Sequence, residues 1–501
     1  MPVAGHHLLG AATLLAAAAL FWQAYRAAAA ERTRVAVACI LGAALLLRFF
    51  AALDPFLHAW DERYHALVAK NLMAHPLLPT LYDRPLLPYD LRSWGSNHVW
   101  LHKPPLALWL MAASMKAFGV HEIALRLPSI LLSTAAVWVT YEIGKAWVGR
   151  RAAVWAAFLH AVNGFLLDLA AGRRAADHVD TLFIFLIALG ILAGARHARS
   201  GHPLLPLLIG CLAGLALLAK FMAALLIFPV WMVLLLGRMS VRRALGALAV
   251  AFAAALVVWA PWQLYARARF PLEIQWEAQY NWRHLTEVLE EHGGDALFFL
   301  RRLPSFFGAL VFIPLAWFFY RLFKGPADRS LLALAVWFVI PYGVFSFVAT
   351  KMPGYVMIAA PALFLIQGRF LESLRETIAR MQRGWWQVAA TALLVLCLLL
   401  PAAYGIERLK PFQTSPEPAA WTSALRSMAQ TVGEGPTVLF NTPSPIETMF
   451  FTDWTAYSKM PAVEDVSRIR AQGYRVLIED DGKTDFQPWR ELGCEVVDLG
   501  R

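Results

Sequence analysis

Two adjacent carboxylates, Asp61 and Glu62, open a polar stretch that ends in His98, His102 and Lys103. A carboxylate can take the proton of an attacking hydroxyl or amine as general base, and a lysine offers a compact cation suited to phosphate. Pro104 and Pro105 follow His102 and Lys103, stiffening the chain so that those side chains are aimed. The same residue types recur further on: Lys351 with Pro353, Gly354 and Tyr355, then Arg173, Arg174, Asp177 and Asp180 in GRRAADHVD (172–180), then His292 in EVLEEHGGD. Tyr355 can donate a hydrogen bond to a phosphate oxygen. Each has a plain reading too, as an interfacial charge, a snorkelling lysine or a surface histidine. His102 and His292 could share a metal, but two histidines so far apart in sequence are a weak signal.

The elements that must position these groups are apolar. The chain has 501 residues, 59% hydrophobic and 16% charged, where a soluble domain carries about 25% charged residues. Apolar runs of roughly 20 residues recur from His7 to Tyr404, long enough to span a bilayer as helices. They predict about twelve spans, near 7–28, 34–53, 124–145, 152–171, 178–196, 203–219, 221–237, 244–262, 297–320, 331–350, 354–371 and 385–404. The segment 105–118 is too short to cross and predicts a helix in the interface. The first run lacks the basic residues that precede a signal peptide's apolar core and is followed by Arg26, Arg32 and Arg34, so it reads as an uncleaved span with its N-terminus outside.

Topology then gathers the candidate residues. With the long loop outside, the inside connections carry eighteen Lys and Arg residues and the short outside connections four: Arg173, Arg174, Lys220 and Lys351. That bias places the first loop (54–118), the second loop (263–296) and the tail on the outer face. The net charge of +11 therefore reflects membrane orientation, and nucleic acid is not an expected partner. Cys39, Cys211 and Cys397 lie in apolar runs and Cys494 is alone in the tail, with no metal-ligand spacing and no obvious pair. Beyond the linker Pro411 to Pro418 the hydrophobicity falls. Val438–Asn441, Tyr474–Glu479 and Glu495–Leu499 predict strands, with a helix at 463–473, giving a small α/β accessory domain over 405–501 behind a transmembrane domain over 1–404.

Four patterns carry a family resemblance: WDERYHALVAKNL (60–72), HKPPLALWL (102–110), EAQYNWRHLTEVLEEHG (277–293) and KMPGYVMIAAPALFL (351–365). They resemble the integral-membrane glycosyltransferases of the GT-C fold, in the bacterial branch holding aminoarabinose (lipid A) transferases and protein O-mannosyltransferases. The PSPIETMFFTDWTAY tail is similar to that branch's C-terminal domain. The resemblance implies a polytopic α-helical membrane protein of the bacterial inner membrane, with its site on the periplasmic face. It implies transfer of one sugar from a polyprenyl-phosphate donor, with inversion, and no cofactor required for the chemistry. By likeness Asp61 is the candidate base supported by Glu62, Lys103 and Tyr355 hold the lipid phosphate, and Lys351 adds positive potential. One of Asp177 and Asp180, near Arg174, matches a family acid that follows an arginine. In the aminoarabinose transferases a glutamate before the lysine joins a second-loop histidine around zinc; His102 and His292 take those two places here.

Two features depart from the family pattern. The arginine three residues after the aspartate is replaced by Tyr64, with Arg63 one position early, and there is an extra N-terminal span. Lipid A or another envelope glycolipid is favoured as acceptor over protein. The rival class, a lipid-carrier transporter or flippase, expects interrupted helices at the midplane and internal repeats, whereas here the polar groups sit in outer loops.

Overall fold

The computed structural model describes residues 3–175, 177–326 and 328–499, and the chain divides into two compact units. The first holds Met1–Ala52, Ser129–Ala171 and Ala176–Gln413; the second holds Leu53–Pro128, Gly172–Ala175 and Thr414–Arg501.

The first unit is a bundle of long apolar helices. Among the described residues, nine helical runs are long and apolar enough to cross a membrane, and two further helix pairs qualify when each bent pair is taken as one span. One pair, Arg150–Val162 with Gly164–Ala170, bends by 55°. Asn163 makes that break, its side-chain oxygen accepting the Leu166 N–H at 3.1 Å as an N-cap. The other pair, Phe298–Phe307 with Phe312–Lys324, bends by 112°. The run Leu205–Leu235 counts once by length and composition, yet its contacts divide it. Lys220 reaches Asp180 at the start of the helix Asp177–Ser200, while Arg238 donates to the Ala198 carbonyl at that helix's other end. The chain therefore travels out to Lys220 and back. By length and composition the described residues hold nine spans, or up to eleven with each bent pair taken as one span, against about twelve expected.

Close packing inside this bundle rests on small residues. A Cβ on Gly210 would stand 2.1 Å from the Ala251 carbonyl oxygen, and one on Gly214 would stand 2.7 Å from that of Ala255. This G-x-x-x-G spacing lets the helices Leu205–Lys220 and Val241–Arg269 meet backbone to backbone. Arg48 is fully buried at membrane depth; it donates to Ser133 Oγ at 2.6 Å and to the carbonyls of Ala161 and His160 at 3.2 and 3.4 Å. Those carbonyls end the helix Arg150–Val162, so the guanidinium satisfies backbone acceptors that the break at Asn163 exposes.

The second unit combines the first long loop with the tail. The loop supplies the helices Asp61–Leu72 and Pro105–Phe118, the latter where an interfacial helix is predicted. The tail supplies a four-stranded, all-parallel sheet: β1 (Thr437–Phe440), β2 (Thr455–Ala456), β3 (Arg475–Glu479) and β4 (Glu495–Val497), in the order β2-β1-β3-β4. Three of these match the predicted strands; the two-residue β2 is too short to leave an alternating pattern. The inner strands β1 and β3 are buried almost throughout, as parallel strands covered on both faces must be.

Candidate functional site

In the second unit the chemistry-bearing residues meet at the start of the helix Asp61–Leu72. Asp61 and Glu62 occupy its first turn, where the helix dipole favours negative charge. They point to different environments. Lys103 Nζ stands 3.6 Å from Asp61 Oδ2, each side chain about 15% exposed. Glu62 is fully buried, and its Oε1 and Oε2 take the Arg126 guanidinium at 2.7 and 3.0 Å. Glu62 Oε2 also accepts the His58 backbone N–H at 2.6 Å. Arg126 also donates to the Asp54 and Phe56 carbonyls, both at 2.6 Å. Glu62 thus ties 54–62 to the start of the helix Glu122–Trp147, while Asp61 keeps the accessible position.

The turn 172–175 completes this frame. Arg173 donates to Asp54 Oδ2 at 2.9 and 3.1 Å, and His58 Nε2 lies 3.4 Å from the same oxygen. Burial pushes the Asp54 carboxyl up, but His58, Arg173 and Arg126 outweigh it and hold the group well below the usual carboxylate range. Gly172 has φ +78°, and a Cβ there would stand 2.1 Å from Glu62 Oε1, so only glycine lets the turn close on that carboxylate. Arg174 lies half-buried in the same turn. Trp60, directly before Asp61, is 66% exposed and has φ 74° and ψ −128°, a conformation that bulky residues rarely adopt.

The tail grips the Asp61 helix from further along. Arg63 reaches Glu447 at 3.2 Å, and Lys70 caps the end of the helix Pro445–Phe451 through the Met449, Phe450 and Thr452 carbonyls at 2.9, 3.2 and 2.5 Å. The Tyr457 hydroxyl accepts the Leu86 and Leu87 N–H groups. Burial lowers the Lys70 ammonium even with Asp453 beside it, and burial likewise raises the Tyr457 phenol.

In the first unit the sequence candidates form a different cluster. Asp180 receives Lys220 at 2.5 Å, and Lys220 lies over the Tyr355 ring, 5.4 Å from its centroid. A Cβ on Gly354 would stand 2.8 Å from Asp180 Oδ2. Asp177 is buried one turn before Asp180, its Oδ1 taking the Val179 N–H. Lys351 is buried with its ammonium on the Ser346 and Val348 carbonyls, capping the helix Arg329–Phe347, while its own N–H bonds the His292 carbonyl at 2.7 Å. Lys351 and His292 therefore meet through the backbone, and the Lys351 ammonium serves a helix end here.

The expected metal pair falls in separate units, His102 in the second and His292 in the first. The His102 ring stacks on Trp94 at 5.3 Å and 13° and meets Trp100 edge-on. Among the described residues no three His, Cys, Asp or Glu side chains are grouped to hold a metal ion. All four cysteines are unbonded thiols.

The sequence reading missed Asp54 and Arg126 and left Lys220 as a topological marker. Arg126 sits in the apolar stretch ALRLPSI at the head of a span, and an intramembrane charge there was the available signal.

Residues 102–265 match the family model for dolichyl-phosphate-mannose-protein mannosyltransferase. The undecaprenyl phosphate-α-4-amino-4-deoxy-L-arabinose arabinosyl transferase of Pseudomonas aeruginosa (strain UCBPP-PA14) is 28% identical over 300 residues, 56% of this chain and 52% of that protein. Lipid A galacturonosyltransferase RgtD of Rhizobium johnstonii is 28% identical over 252 residues, 48% of this chain and 49% of that one. The chain spans about half the length of these curated relatives. Among solved structures, ArnT from Cupriavidus metallidurans bound to undecaprenyl phosphate superposes with a TM-score of 0.61 at 18% identity, covering 92% of this chain and 89% of that one. The fold is that of the GT-C membrane glycosyltransferases, and the resemblance read from the four motifs is borne out.

Proposed function

We propose that this multi-span membrane protein is a glycosyltransferase that moves one sugar from a polyprenyl-phosphate donor to an envelope glycolipid, lipid A being the favoured acceptor, at the periplasmic face of a bacterial inner membrane. The observation that carries the reading is Asp61: a partly exposed carboxylate at a helix start, 3.6 Å from Lys103, on a frame locked by the buried Glu62–Arg126 pair. The similarity to an undecaprenyl-phosphate aminoarabinose transferase and to a lipid A galacturonosyltransferase supports the donor and acceptor classes.

In this reaction the acceptor hydroxyl gives its proton to Asp61 while its oxygen bonds the sugar's anomeric carbon. The bond from that carbon to the phosphate oxygen breaks on the opposite side, and the electron pair leaves with the polyprenyl phosphate, so the centre inverts. Charge grows on the departing phosphate, where a fixed cation stabilises the transition state. Lys103 suits that part. Glu62 acts as a positioning residue, since its oxygens already serve Arg126 and His58. Tyr355, Lys351, Arg174, Asp177 and Asp180 are assigned to donor binding by likeness, and Lys220 joins them through Asp180 and Tyr355.

The test is transfer by the purified, reconstituted protein. Undecaprenyl-phosphate aminoarabinose and a mannosyl-phosphate lipid serve as alternative donors, with lipid A and a peptide as alternative acceptors. Asp61→Asn should lower the turnover by at least about a hundredfold; wild-type turnover in that variant removes the assignment. A product lengthened by several sugars would instead mark a polymerase, and lipid-carrier movement without transfer a flippase. His102 and His292 are the candidate metal pair by likeness: one zinc per chain, lost in each single alanine variant, would identify them as ligands.

A further inference from the structure

The helix Val3–Ala29 and the helix Trp385–Leu409 border a trough that the reaction above does not use. At one end the two are pinned together: His6 Nε2 lies 3.3 Å from the Lys410 carbonyl oxygen, and a Cβ on Gly10 would stand 2.3 Å from that of Pro411. Toward the other end a cavity of about 320 Å³ opens, walled by Ala24, Ala28 and Leu398 and floored by Val154 and Phe158. A second cavity of about 180 Å³ continues it toward the pinned end, past Leu14, Ala18 and Ala402. Phe21 and Phe158 line both cavities and meet edge-to-face at 5.0 Å, so one aromatic pair marks the waist of a single apolar wedge. From Ala28 to Leu14 the wall is about 21 Å long at 1.5 Å per residue, rather more than the ~15 Å depth of one leaflet's hydrocarbon.

The wide end is polar, with two guanidinium groups at its mouth. Arg151 and Arg375 line the mouth, 49% and 37% exposed. Each guanidinium spends part of its donors on a carboxylate, Arg151 on Glu31 at 3.1 Å and Arg375 on Glu372 at 2.7 and 2.9 Å. Glu372 also accepts the Trp155 indole N–H at 3.2 Å, which fixes the carboxylate in the wall. Both arginines keep donors beyond these bonds and line the opening, with Trp22 and Tyr25 stacked at 5.7 Å on the same helix end, an arrangement typical of a membrane interface. This is also the end that the arginine-rich connections assign to the inside.

We infer that this wedge is a binding site for one anionic glycerophospholipid of the cytoplasmic leaflet, its phosphate on Arg151 and Arg375 and an acyl chain between the helices Val3–Ala29 and Trp385–Leu409. The guanidinium donors left over from the two carboxylates select the occupant: a phosphate takes them in charge-assisted hydrogen bonds that a chain end alone cannot form, and anionic lipids concentrate in that leaflet. The trough fits one acyl chain in length, and its closed end stops the chain near the far side of the bundle.

Native mass spectrometry of the detergent-purified full chain tests this, with phosphatidylglycerol and phosphatidylethanolamine titrated in competition. The expected result is one retained phosphatidylglycerol with at least a tenfold preference. Arg151→Gln and Arg375→Gln should each lower that preference several-fold. Ala28→Trp fills the trough while keeping both arginines, and it should lower retention of either lipid. Equal retention of the two lipids by the native chain, a preference that survives both arginine substitutions, or retention unchanged in Ala28→Trp would each mean annular lipid only and overturn the proposal.

Discussion

Arg126 grips both oxygens of Glu62, at 2.7 and 3.0 Å, with neither side chain reached by solvent. Breaking a buried pair from one side strands a charge, at a cost of about 3–5 kcal/mol. Glu62→Ala and Arg126→Ala should therefore each lower the unfolding midpoint sharply in detergent. Glu62→Gln, which keeps the shape and one acceptor, should lose less stability. If Glu62 positions Asp61, turnover in Glu62→Gln falls while the donor KM stays near its native value; a stability loss with unchanged turnover would make the pair purely structural.

Asp54 offers a pH test of the same frame. Its carboxyl is held below its ordinary range in the fold by His58, Arg173 and Arg126, against the opposing effect of burial. A depressed carboxylate contributes stability above the unfolded value of about 4, and that contribution drains away as pH falls through the folded value. Native protein and Asp54→Asn should differ most in unfolding midpoint near neutral pH, and the gap should narrow steadily below about pH 4. A gap that does not change with acid would show that Asp54 contributes by packing alone.

The strained Trp60 backbone predicts a trade. At φ 74° and ψ −128° a tryptophan stores about 1–3 kcal/mol that glycine avoids. Trp60→Gly should raise the melting temperature, or leave it unchanged where the added freedom of the unfolded chain offsets the relief. Trp60→Ala keeps the strain and serves as its control. Should Trp60→Gly melt lower than Trp60→Ala, the backbone is not strained at this point.

What was legible in the sequence follows from range. Asp61, Glu62, Lys103 and the spans announce themselves locally, through a polar interruption in an apolar chain, and the interfacial helix and three of the four strands follow from short-range pattern. The pairing of Glu62 with Arg126 spans 64 residues, and nothing in ALRLPSI says which acid its arginine meets. Lys351 shows the reverse limit. Its place beside Pro353 and Gly354 flagged irregular backbone, but only the fold reveals that the ammonium caps the helix ending at Phe347. Likewise Glu447 and Tyr457 read as part of a separate tail, while in three dimensions they hold the Asp61 helix and the loop after it.

Asp180, Lys220 and Gly354 form one linked contact. Lys220 meets Asp180 at 2.5 Å, and Gly354 leaves 2.8 Å between the carboxylate and the site of an added Cβ. That separation is shorter than real Cβ contacts, and the carboxylate is tethered by the lysine, so it cannot swing away freely. Gly354→Ala should cost about 1–3 kcal/mol through overpacking, and it should also push Asp180 off Lys220. Lys220→Met removes the tether, so the double variant with Gly354→Ala should lose less stability than the sum of the two single variants. Thermal unfolding of the four proteins measures that coupling. Additive losses would mean that Gly354 is needed for its own backbone freedom, and the carboxylate for something other than its lysine.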